Sequence, residues 1–131
     1  MSLRPGTVFL TDCPARLAIE IIANKWAVVT LFGLSEGPLR HGELVELIGG
    51  VSRKVLTQTL RRLQDHGLVT RQVYAEAPPR VEYSLTELGR TLEEPIRALT
   101  MWARDNGEAV AAAYEATTTN AEALDGNAPQ Q

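Results

Sequence analysis

A single cysteine among 131 residues excludes an intrachain disulfide and a thiolate-rich zinc site. His41 and His66, with Cys13, are too few and too scattered to suggest a metal centre, and no cofactor is expected. No apolar run approaches the roughly 18 residues that a membrane span requires. The opening stretch MSLRPGTVFL lacks an apolar segment of useful length followed by a small-residue cleavage site. Export and membrane partners are therefore not expected, and the chain reads as cytoplasmic. No Ser/His/Asp set, glycine-rich phosphate loop or pair of titratable residues at workable spacing is visible, so an enzyme is not expected. No internal repeat is visible either.

What is present is ordinary in bulk and uneven in detail. Hydrophobic residues at 44% and charged residues at 22% exclude a disordered chain, a collagen and a coiled-coil rod. The length suits one domain that buries roughly two-thirds of its unfolded surface, too little for a large enclosed active site. The net charge of −3 argues weakly against a nucleic-acid partner, but residues 51–90 carry +3 and residues 91–131 carry −5. Arg53, Lys54, Arg61 and Arg62 lie in one stretch, Ser52–Arg62, that holds no acid. Electrostatic attraction is screened over roughly 8–10 Å, so this local patch outweighs the global sum.

Periodicity and punctuation give the order of elements. Residues 1–12 show no period and are expected to form a flexible arm. Pro14 suits the first turn of a helix, because its missing N–H is an orphan there anyway. That helix runs to about Asn24 with Leu17, Ala18, Ile21 and Ile22 at helical spacing. A second helix starts near Trp26 and stops before Glu36-Gly37-Pro38. A short helix, Arg40–Ile48, sets Leu44, Leu47 and Ile48 on one side and ends at Gly49-Gly50. Ser52 is an N-cap candidate for a helix from Arg53 to His66, with Leu56, Leu60 and Leu63 as its core stripe and Gly67 as its stop. Leu68–Tyr74 and Val81–Leu85 alternate as strands around a loop containing Pro78-Pro79, forming a hairpin. Thr86 caps a last helix bearing Leu88, Leu92, Ile96, Leu99 and Trp102, which Pro95 should kink or interrupt. From about Thr117 the chain is small and polar, and residues 105–131 are expected to be a helix end and a disordered tail.

Two short helices joined by a glycine turn make a helix-turn-helix, and a hairpin directly after them makes its winged form. The fold expected is mainly α with a small β-hairpin (α+β), a winged helix-turn-helix spanning residues 13–104 with its dimerisation helices. Several segments resemble the HxlR-type winged helix-turn-helix transcriptional regulators of bacteria. These are Cys13-Pro14, Lys25-Trp26, Leu56-Thr57 with Leu60-Arg61 and Leu63, Gly67-Leu68-Val69, and the run Pro79–Gly89. The family usually has Arg-Phe where this chain has Arg40-His41, a departure that bears on how the short helix is anchored. The resemblance implies a homodimer that binds an operator in double-stranded DNA and represses, less often activates, a nearby gene.

With the leucine stripe inward, a period of ~100° per residue puts Lys54, Gln58 and Arg61 on the opposite face. Ser52, Arg53 and Thr57 lie at the amino-terminal end, which recognition helices present to the major groove. Arg and Lys suit guanine, Gln suits adenine, and Ser or Thr suits bases or phosphates. Arg40, opening the helix that crosses the DNA backbone, and Arg80 in the wing, with Arg71 beside it, are phosphate candidates. His41 reads as a packing or capping residue. Trp26 and Trp102 read as core or dimer-interface residues. The dimer is expected to be built from the N- and C-terminal helices, whose apolar stripes exceed what one small domain needs to cover. Cys13, beside a helix start that favours a thiolate, is a candidate sensor of oxidants or electrophiles, with Arg16 as a possible cation; the alternative is a small residue packing the dimer base. A small-molecule effector is the other possible signal. The rival reading for the whole chain is a winged-helix module for protein–protein contact without specific DNA binding.

Overall fold

These periodicities become helices in a computed structural model, which describes residues 14–126. The expected arm at residues 1–12, Cys13 and the last residues of the expected tail lie outside the described residues. The chain divides into two units at Ile96–Arg97.

In the first unit, α1 (Pro14–Ile22) buries only Ile21 and leaves Leu17 and Ile19 exposed. Asn24 caps α2 (Lys25–Gly33), its Oδ1 accepting from the N–H groups of Trp26 at 2.9 Å and Ala27 at 3.3 Å. This helix is apolar on most sides because it lies at the centre, touching α1 and both helices that follow. Ala27, Thr30 and Leu31 are buried in it, and Trp26 packs half-buried against the core. A 3₁₀ turn (Leu34–Glu36) leads to α3 (His41–Ile48) and α4 (Arg53–Asp65). Leu44, Leu56, Leu60 and Leu63 are at most 1% exposed and make the middle of the core. Leu47, expected on the buried side of α3, is instead 61% exposed, because Leu44 alone reaches the centre of so short a helix.

Strand β1 (Val69–Tyr74) pairs antiparallel with β2 (Arg80–Leu85), from Val69 opposite Leu85 to Tyr74 opposite Arg80. Arg80 thus begins a strand rather than closing the loop. Leu39 adds a short bridge to β2 by exchanging backbone hydrogen bonds with Tyr83 at 2.8 and 3.0 Å. Val69, Tyr83 and Leu85 are buried in the core, while Arg71 and Val73, farther out along β1 on the same face, are exposed.

The expected single helix after Thr86 is two helices. The Thr86 hydroxyl accepts from Gly89 N–H at 2.9 Å and caps α5, which is only Glu87–Arg90. The chain then restarts as α6 (Glu93–Gly126). Pro95 is the third residue of α6, where a missing N–H costs no helical bond, so the break falls upstream of the proline.

The second unit is the continuation of α6, and it corrects the expectation of a frayed segment from Thr117. Ala109, Ala111, Ala112, Ala113, Ala116, Ala121 and Ala123 supply the best helix-forming residue throughout. Thr117 and Thr118 turn their hydroxyls onto the carbonyls of Ala113 and Tyr114, each at 3.0 Å. Leu99, Met101, Trp102, Val110 and Tyr114 are all exposed on this helix.

One core group is unsatisfied. Thr30 is fully buried, and its hydroxyl has no hydrogen-bond partner among the described residues. Thr30→Val keeps the shape and removes the buried polar atom, so it should stabilise the fold by about 1 kcal/mol. A higher denaturant midpoint at unchanged slope is the expected result. A fall in the midpoint would show that the hydroxyl is satisfied in solution.

Candidate nucleic-acid interface

The turn between α3 and α4 sets the geometry of the interface. Gly49 and Gly50 have φ of +69° and +78°, a region that side chains with a Cβ rarely adopt. They bring Val51 back into the core at 7% exposure, and Ser52 then caps α4 by accepting from Val55 N–H at 3.0 Å. Burial of Leu56, Leu60 and Leu63 turns Lys54, Gln58 and Arg61 outward, and all three are exposed. Ser52, Arg53 and Thr57 are exposed at the amino-terminal end of the same helix, as the stripe predicts. Among the described residues, no ion pair engages Arg40, Arg53, Lys54 or Arg61. Their charge is uncompensated locally, which is the condition for attracting phosphate.

Arg40 sits at the N-cap of α3, exposed, with its backbone N–H donating to Glu43 Oε1 at 3.0 Å. One residue on, His41 places Nε2 at 2.9 Å from the Thr57 hydroxyl, joining α3 to α4. A polar contact therefore stands where the family's phenylalanine would pack. Sixteen residues separate the two partners, and no local pattern announces the pair. The only pointer in the sequence is the departure at His41 itself.

The wing differs more from expectation. Arg80 lies 3.6 Å from Glu76 Oε1 and 3.5 Å from Glu82 Oε1, and its guanidinium stacks 4.2 Å from the centre of the Tyr74 ring. Its charge is matched by two carboxylates, so Arg80 braces the hairpin. Arg71, exposed on β1, is in no ion pair among the described residues and is the freer cation of the wing.

A family model for the HxlR-like helix-turn-helix matches residues 21–111. The chain belongs to this family. The HTH-type transcriptional regulator YtfH of Escherichia coli (strain K12), itself uncharacterized, is 41% identical over 100 residues, covering 76% of this chain and 79% of its own. The solved structure of ytfH from Salmonella typhimurium matches with a TM-score of 0.73 at 37% identity, over 82% of this chain and 96% of that one. The redox regulator HypR in its reduced form matches with a TM-score of 0.69 at 33% identity, over 76% and 98% of the two chains. A winged helix-turn-helix of the HxlR-like type is thus a finding on both sequence and structure, and its relatives are transcriptional regulators. In this fold α4 is the second helix of the helix-turn-helix and β1–β2 the wing. Helix α6 runs on to Gly126, beyond the residue at which the family match ends.

No single helix among the described residues is both long and apolar enough to cross a membrane. No cluster of three metal-ligating side chains occurs among them either.

The bracing role of Arg80 is testable without DNA. Arg80→Ala should speed amide hydrogen exchange at the tip of the hairpin, around Tyr74 and Val81, whereas Arg71→Ala should leave it unchanged. Equal exchange in the two variants would remove the distinction.

Proposed function

We propose that this HxlR-like protein is a homodimeric repressor that reads an operator through α4. One observation carries the reading: an exposed basic face on a helix whose rotation is fixed by the core, where no ion pair engages Arg53, Lys54 or Arg61 among the described residues. A protein–protein module needs no such face. Regulation of this kind takes place where the DNA is, in the cytoplasm.

The dimer is supported by apolar surface that a monomer leaves in water. In the first unit a groove of about 370 Å³ is lined by Leu17, Ala18, Ile22, Leu88 and Leu92. Leu17 and Leu88 are each more than half exposed. In the second unit Leu99, Trp102 and Val110 are likewise more than half exposed. Patches of this kind mark association surfaces. A two-fold dimer reads two half-sites about one helical turn, ~34 Å, apart.

A gel shift on the upstream regions of its own gene and of its neighbour is the direct test, alongside the mass in solution. The expected outcome is a dimer that gives a specific, salt-sensitive shift. A monomer, or a shift indifferent to sequence, would overturn the proposal. Gln58→Ala should cost roughly 1–3 kcal/mol on the preferred site and less elsewhere, as loss of a bidentate base contact does. Arg71→Ala should lower the salt slope by about one phosphate contact, and Arg80→Ala should not.

The signal proposed is oxidation or electrophile attack at Cys13, in keeping with a similar protein named as a redox regulator. One cysteine per chain permits only a bridge between subunits or to a small thiol. Arg16, the cation suggested by the sequence, is paired with Glu20 at 3.2 Å in an exposed ion pair. Diamide should change operator affinity in the native protein and not in Cys13→Ser. Unchanged affinity with Cys13 fully modified would leave a small-molecule effector as the remaining signal.

A further inference from the structure

Thr57 stands at the edge of the recognition face nearest α3, and its hydroxyl is already engaged on two sides. Its one proton is donated to the Arg53 carbonyl at 2.8 Å. With that proton committed, the 2.9 Å contact with His41 requires that His41 Nε2 carry the hydrogen and donate it. A hydroxyl has one proton and two lone pairs, so one lone pair remains, on an exposed side chain. We infer that Thr57 meets DNA as a hydrogen-bond acceptor only, its proton held by the Arg53 carbonyl and one of its two lone pairs taken by His41.

The consequence is a specificity rule. In the major groove, adenine N6 and cytosine N4 are donors, whereas guanine, thymine O4 and the phosphates offer only acceptors at the corresponding places. An acceptor-only Thr57 therefore selects an amino-bearing base, adenine or cytosine, and makes no hydrogen bond to guanine, thymine or a phosphate. A threonine free to rotate its hydroxyl accepts either kind of partner. This inference rests on the operator-binding proposal above.

Selection of binding sites from a random duplex pool tests it, using the full chain. The native protein should enrich adenine or cytosine at one position of each half-site. Thr57→Val should lose that preference alone, keeping the rest of the motif, and Thr57→Ser should keep it. His41→Phe frees a lone pair but leaves the proton on the Arg53 carbonyl, so it should keep the adenine or cytosine preference. Removing the amino group from the selected base, with purine in place of adenine or pyrimidin-2-one in place of cytosine, should weaken native binding roughly 2- to 10-fold and Thr57→Val not at all. A motif that Thr57→Val leaves unchanged, or a Thr57-dependent preference for guanine or thymine, overturns the inference while leaving operator binding intact. Loss of all binding by a Thr57→Val protein with native melting behaviour also overturns it, since that marks an anchor rather than a reader. No motif from the native protein overturns operator binding itself.

Discussion

The rotation of α4 about its own axis is the constraint on which the interface depends. Leu56, Leu60 and Leu63 are each at most 1% exposed, and together they leave the helix one way to lie against α2 and α3. At ~100° per residue, a slip of one position would carry Lys54 and Arg61 toward the core and expose a leucine. Burying an unpaired cation costs several kcal/mol, and truncating a core leucine costs about 2–5. The penalty against misrotation is therefore comparable to the whole stability of a small domain. Precision in base reading is inherited from packing on the far side of the helix.

The wing is held to that helix by an equally specific junction. Thr86 donates its hydroxyl proton to the Gly67 carbonyl at 2.6 Å, and its N–H bonds the Leu68 carbonyl at 3.1 Å. Gly89 packs so closely on the Leu68 carbonyl that an added Cβ would overlap the oxygen. The end of α4, both ends of the hairpin and the start of α5 meet at this point. Leu39 ties the entrance of α3 to Tyr83 on the other side of the sheet. Helix α4 and the wing are thus joined by short polar and packing contacts at the base of the hairpin.

How much of this the sequence shows follows from the range of each interaction. Ser52, Gly67 and Thr86 mark their helix ends correctly because capping is decided within three or four residues. The leucine stripe is legible because its period is that of the helix itself. The pairing of Arg80 is not legible because its partners are chosen by hairpin register: Glu82 is near it in sequence, but its stacking on Tyr74 exists only once the two residues face each other across the strands. The His41–Thr57 link is invisible for the same reason, since two helices must cross before it forms. The error at Thr117 is of another kind. Small polar residues suggest fraying, but the alanines among them favour helix, and threonine tolerates it by bonding back to the preceding turn.

The charge along the chain separates the two kinds of association proposed for the protein. α4 is basic and open, whereas residues 97–123 of α6 carry Asp105, Glu108, Glu115 and Glu122 against Arg97 and Arg104. An acidic helix cannot serve DNA, and two like-charged copies repel by roughly 1 kcal/mol per close pair in water. Burying a side chain such as Leu99 or Val110 offsets that repulsion by about 1.5–3 kcal/mol each. Salt weakens the attraction of α4 for phosphate and, by the same screening, weakens the repulsion between acidic helices. Association of two chains and association with DNA therefore respond to ionic strength in opposite directions. A regulator built this way can remain dimeric under conditions that release it from its operator, so release need not dismantle the protein.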